Sequence, residues 1–203
     1  MKIIGLTGQS GAGKALVCEI LQRHGIPSVD TDAVYHKLLA DVHPAMTGEL
    51  TAAFGNGLLG TDGVVDRKRL AAAVYGHSDS DTRLHTLNAI THKYIMAKTW
   101  ELVKGFEQGG ARAAVIDAPQ LFEAGLESTC DLVVAVLADE PVRLARVMAR
   151  DGISKDAAER RFAAQRPDEF YRSHCQYVFE NNGDANSLEA QILSFLEKTG
   201  LGV

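Results

Sequence analysis

An α/β fold, a parallel five-stranded sheet flanked by helices, is predicted by three observations. First, the apolar run from Lys2 to Thr7 breaks into a glycine-rich turn, and a helical pattern starts at Lys14. Second, short apolar runs that end at carboxylates or turns alternate with helical patterns along the rest of the chain, as in βαβ units. Third, Asp131–Leu137 is almost continuously apolar, as expected of a central parallel strand covered on both faces. A chain of 203 residues, 46% hydrophobic with a mean hydropathy of -0.06, suits one such domain carrying an insertion.

The turn after the first strand reads Gly8-Gln9-Ser10-Gly11-Ala12-Gly13-Lys14, the G-x-x-x-x-G-K spacing of a phosphate-binding P-loop. Glycines let the backbone curl so that several N–H groups point at phosphate oxygens. The positive end of the following helix and the Lys14 ammonium add to that attraction. The expected nucleotide-phosphate site is therefore Gln9, Ser10, Gly11, Ala12, Gly13, Lys14 and Ala15, on a sheet of P-loop NTPase type. Ala15 departs from the motif, which asks for Ser or Thr. The competing reading is a strand-to-helix turn that holds no ligand.

Leu16, Ile20 and Leu21 recur at helical spacing with Val17 beside them, and Gly25 stops that helix. Ile26–Val29 predicts a second strand ending at Asp30-Thr31-Asp32, with a helix over Ala33–Leu39. Carboxylates just past the carboxyl end of a parallel strand face the ligand crevice. Either aspartate could instead cap the helix, or capping and catalysis could be divided between them. Residues 41–109 read as a mostly helical insertion, with helices over Met46–Phe54, Lys68–Tyr75 (Asp66 as N-cap) and Thr82–Phe106. His92 lies in the last of these, where a lone histidine is more often structural than catalytic.

Ala113–Ala118 predicts the third strand, and its Asp117 could hold Mg2+ directly or through water. An apolar loop, 119–126, precedes the fourth strand at 131–137. Residues 143–172 then hold seven arginines and one lysine against five acids. Arg143, Arg146 and Arg150 share a face of the helix after Pro141, and a second helix follows Ser154. This segment is either a solvated charged surface or a lid that closes over ATP. Tyr177–Glu180 predicts the fifth strand, and Asn186 with Glu189 resembles the capped start of a last helix ending near Lys198.

Several classes are excluded. No apolar run approaches the ~20 residues of a membrane span. A net charge of -5 argues against general nucleic-acid binding. Three scattered cysteines and the absence of a signal-peptide layout predict reduced thiols in the cytoplasm. No obligate protein partner is indicated.

Taken end to end, the chain resembles the dephospho-coenzyme A kinase family. The likeness rests on the order and spacing of Gly5-Leu6-Thr7-Gly8 with its loop, Val29-Asp30-Thr31-Asp32, Leu87–His92, Pro119–Leu126, Arg146 to Asp151, and Tyr177–Gly183. The resemblance implies ATP and Mg2+ as cofactors, dephospho-CoA as acceptor, and phosphorylation of its ribose 3'-hydroxyl. It implies a single domain: a core (1–40, 110–140, 176–203), an acceptor-binding insertion over about 41–109 and a lid over about 141–175. By the same token Asp32 is the general base, Lys14 bridges the β- and γ-phosphates, and Arg146 and Arg150 bind phosphate. His92, Leu121 and Glu123 lie with Asp32 at the acceptor, and Asp32 and Asp117 hold the metal. Three departures stand out: Ala15 for the loop serine, Lys93 where the family usually has proline, and Gln120 for a leucine. Two rival readings remain: another P-loop small-molecule or nucleotide kinase, and a nucleotide-binding protein without catalysis.

Overall fold

The computed structural model describes residues 1–202. Its elements run β1 Lys2–Gly8, α1 Lys14–Arg23, β2 Ser28–Asp30, α2 Thr31–Ala40, α3 Pro44–Phe54, α4 Arg67–Val74 and α5 Ser80–Gln108. They continue β3 Ala113–Asp117, β4 Leu132–Leu137, α6 Glu140–Asp151, α7 Lys155–Ala163, α8 Asp168–His174, β5 Tyr177–Glu180 and α9 Ala185–Lys198. The five strands form one sheet in the order β2-β3-β1-β4-β5. β1 pairs in parallel with β3 and β4, and β4 with β5. The predicted sheet is the one that forms, and β1 lies at its centre.

The chain divides into two compact units, Met1–Val29 with Lys104–Val203, and Asp30–Val103. In the first, the period-two alternation of β4 sorts its side chains between two layers. Val134 and Val136 join one core with Ile4 and Leu6 of β1, Val17, Ile20 and Leu21 of α1, and Ile192 and Phe195 of α9. Ala135 and Leu137 face the other way, onto Tyr171 and Phe170 of α8 with Phe122. Helix α8 was not foreseen: Asp168–His174 is too short and too charged to carry a clear apolar stripe.

The second unit buries Met46, Leu50, Leu58, Leu70 and Val74 from α3, α4 and the short 3-10 turn Asn56–Leu58. Asp66 caps α4 as its position suggests, accepting from the amides of Lys68 and Arg69. Two caps differ from expectation. Helix α9 is capped by Asp184, which accepts from Ser187 N–H, so Asn186 lies inside the first turn. Helix α2 begins at Thr31, earlier than Ala33, because Asp30 accepts from the amides of both Asp32 and Ala33.

At the outer edge of β5, Gln191 of α9 folds its carboxamide back onto the strand. Oε1 accepts from Glu180 N–H and Nε2 donates to Glu180 O, each at 2.9 Å. Among the described residues, no helix is long and apolar enough to cross a membrane.

Candidate active site

The loop between β1 and α1 takes the shape that its glycines permit. Gly11 and Gly13 have φ of +83° and +99°, in the left-handed region that side chains avoid. A Cβ at Gly13 would lie 2.2 Å from Asn181 Nδ2, and one at Gly11 would lie 2.7 Å from the Arg143 carbonyl oxygen. The curl fixes which amides stay available. Ala12 N–H is used by Gln9 O, and Leu16 and Val17 donate to Gly13 O. Among the described residues, the amides of Gly11, Gly13, Lys14 and Ala15 donate to no protein acceptor, which makes them the donor set for an anion. The loop carbonyls are held from outside: Asn181 Nδ2 donates to Ala12 O at 2.7 Å. Arg146 Nη1 reaches Gly11 O and Ala12 O at 3.4 and 3.5 Å.

Parallel register brings Asp117 to this loop. Leu6 of β1 is opposite Asp117 of β3, so the carboxylate emerges where β1 turns into the loop. Its Oδ1 lies 3.7 Å from Lys14 Nζ, with both side chains mostly buried. Oδ2 faces the Cys18 thiol one turn further along α1, at 3.9 Å. Lys14 and Asp117 therefore meet at the mouth of the loop. An oxygen donor of this kind suits Mg2+, which takes one or two carboxylates and fills its remaining positions with phosphate and water. Among the described residues, no group of three or more His, Cys, Asp or Glu could enclose a metal by itself. Ala15 is exposed at the head of α1 and offers no hydroxyl.

The arginines of α6 divide their work. Arg146 is at the loop. Arg143 is only 6% exposed; its Nε donates to Ala138 O, and its guanidinium lies 4.3 Å from the Phe162 ring centroid. Arg150, expected on phosphate, instead forms a paired contact with Asp151 at 2.7 and 3.0 Å, which Arg161 joins. These two cations hold the Asp151 carboxyl well below the usual range.

In the loop after β3 the structure separates two residues that the sequence grouped together. Leu121 is fully buried and packs beneath Gly5, where an added Cβ would meet its methyls at 3.1 and 3.2 Å. It supports the loop and presents no surface to an acceptor. Glu123 is exposed and pairs with Arg166 Nε at 3.2 Å. Gln120 is also exposed, so the replacement of leucine there buries no polar group.

Within the second unit, capping of α2 by Asp30 leaves the Asp32 carboxylate exposed in the first turn. Among the described residues, that carboxylate has no hydrogen-bond or ion-pair partner. His92, on α5, is half-buried, and desolvation lowers its pKa from 6.5, so the neutral imidazole is favoured. Lys93 has a structural use of its own: its ammonium and the Tyr94 hydroxyl both bond Glu49 of α3, at 2.5 and 2.6 Å. Sequence reading missed Asn181 and Gln165 as partners of the loop. Asn181 reads as a turn residue, and nothing local marks Gln165.

The chain is similar to known proteins over nearly its whole length. A family model described as CoaE, dephospho-CoA kinase, matches residues 2–187. A dephospho-CoA kinase of Corynebacterium efficiens is 38% identical over 93% of this chain and 92% of its own length. One of Carboxydothermus hydrogenoformans is 36% identical over 98% and 94%. The crystal structure of TT1252 from Thermus thermophilus superposes with a TM-score of 0.80 at 31% identity, covering 97% of each chain. The chain belongs to the dephospho-CoA kinase family.

Proposed function

We propose that this protein transfers the γ-phosphoryl group of ATP to the ribose 3'-hydroxyl of dephospho-CoA, giving CoA and ADP in the last step of coenzyme A biosynthesis. The observation that carries this reading is the loop of unpartnered amides with Lys14 and Asp117 at its mouth, in a chain of this family. The acceptor oxygen attacks the γ-phosphorus in line as the bond to the β–γ bridging oxygen breaks. The acceptor's proton passes to the Asp32 carboxylate, and ADP leaves with the bond's electrons.

Such a transfer needs positioning and charge rather than a covalent intermediate. The loop amides hold the β-phosphate, Lys14 spans the β- and γ-phosphates, and Arg146 offsets charge from the side of α6. Asp32 suits the role of base because Asp30 has taken over the cap, leaving its carboxylate uncommitted. His92, uncharged near neutrality, and Glu123 are acceptor residues in this reading only on the strength of the family resemblance. Mg2+, when bound, would be held by Asp117 with phosphate and water, and would neutralise charge on the phosphates.

The test is ADP release by the purified protein with ATP and Mg2+, with and without dephospho-CoA. Acceptor-dependent ADP, with CoA as the second product, is the expected result. ADP formed only with a different acceptor would show the acceptor site to have been misread. ATP binding with no turnover would favour the binding-only reading.

A further inference from the structure

The phosphate loop is fastened at its crest by two contacts that the kinase mechanism leaves unused. Ser10 N–H donates to Gln165 Oε1 at 3.2 Å. Beside it, Gln9 Nε2 donates to the Arg166 carbonyl at 3.1 Å. Both bonds run from the phosphate loop to an adjacent pair of residues, one from backbone to side chain and one from side chain to backbone, so the link between α7 and α8 is clasped through a side chain and a backbone group at once. Gln9 is only 5% exposed, and its Oε1 has no protein donor, so the bond to Arg166 is what offsets the burial of its amide.

The same link is tied at its other end to the loop after β3. Arg166 pairs with Glu123, and its guanidinium lies 4.7 Å from the Phe170 ring centroid. Phe170 meets Phe122 edge-on at 5.0 Å. Residues 165–170 therefore connect the loop that takes nucleotide phosphates to the loop that carries Glu123. Ser10 N–H differs from its neighbours in this respect. Gly11, Gly13, Lys14 and Ala15 keep their amides for an anion, whereas Ser10 spends its amide on the scaffold.

We propose that Gln165, backed by Gln9, is a positioning residue for phosphoryl transfer. Its carboxamide oxygen sets the Ser10 peptide, and the clasp holds the crest of the phosphate loop in register with Glu123. Gln165 touches no reacting atom. Its loss leaves the anion-binding amides and Lys14 in place, so nucleotide affinity is largely kept. Alignment suffers instead, and transfer rates are sensitive to displacements of an ångström or less.

This inference rests on the kinase reading above, and its test separates the two. Gln165→Met keeps length and volume without an acceptor; Gln165→Glu keeps the acceptor oxygen. For each variant, kcat, the Kd for ADP and the exchange rate of the Ser10 amide are measured. In Gln165→Met, kcat is expected to fall about tenfold while the ADP Kd moves less than about threefold. The Ser10 amide should lose protection, and Gln165→Glu should restore most of both. Unchanged kcat in Gln165→Met, a parallel collapse of ADP binding, or a Glu variant no better than Met would each overturn the proposal. Unchanged Ser10 exchange in Gln165→Met would overturn the clasp whatever the turnover. Absence of turnover in the unmutated protein would count against the kinase reading alone.

Discussion

Two residues carry the sharpest consequences for turnover. Ala15 puts a methyl group where the P-loop motif has a hydroxyl that, in the proposed mechanism, would face the metal and phosphates, and it does so at an exposed helix start. Ala15→Ser should therefore leave thermal stability unchanged. It should raise kcat by roughly ten- to hundredfold, the worth of a hydrogen bond to a charged group realised in the transition state, and lower the Mg2+ concentration needed for half-maximal rate. Titration of activity with Mg2+ in both forms checks this; equal rates would show that the missing hydroxyl is already compensated. Asp32→Asn keeps size and helix geometry but removes the proton acceptor. Turnover should be lost while ADP still binds, and retained turnover would take Asp32 out of the role of base. That Asp32 and not Asp30 is free for this work was open in the sequence, because either can cap a helix. The two amide bonds to Asp30 decide it.

At the scale of elements, the phosphate loop depends on partners far along the chain. Gly13→Ala would drive a Cβ into Asn181 and force φ of +99° on a side-chain-bearing residue, a strain of about 1–3 kcal/mol before any clash is counted. ATP binding by calorimetry should vanish, and Asn181→Ala in the same chain should recover little, since the backbone strain remains. Recovery of full affinity would mean that the clash alone matters. Elements with strong local signals were legible: the strand–loop–helix of residues 2–23, the apolar run of β4 and the Asp66 cap. Contacts joining residues more than 150 positions apart, such as Ser10 to Gln165 and Ala12 to Asn181, have no local signature. Leu121 shows the same limit in reverse. The resemblance assigns Leu121 to the acceptor, and nothing in its local sequence shows that the fold buries it against Gly5.

For the molecule as a whole, His92 contributes to the pH dependence of stability. Its pKa is lowered in the fold by burial, so the unfolded chain takes up a proton near 6.5 while the folded chain resists until lower pH. Stability from this group is present above that value and declines as pH falls through it. His92→Gln should flatten the decline in Tm between about pH 7 and 5, as followed by thermal melts across that range. The thiols differ in kind. Burial pushes Cys130 and Cys175 each up to about 11, so both should react slowly with iodoacetamide at pH 8 in the folded protein and fast in denaturant. The architecture at this scale was also the most legible, because strand and helix patterns follow one another along most of the chain, and it survives a misplaced cap such as Asn186 and an unforeseen helix such as α8.

The carboxamide of Gln191 bears on how copies of this chain behave together. A side-chain amide has the polarity of a peptide bond, and at Glu180 it occupies both the N–H and the C=O of that residue. An open parallel sheet is a template for its own kind, and β5 is an end of this one. By finishing that end of the border with a false peptide, the protein removes one pair of groups on which a neighbouring molecule's strand could extend the sheet.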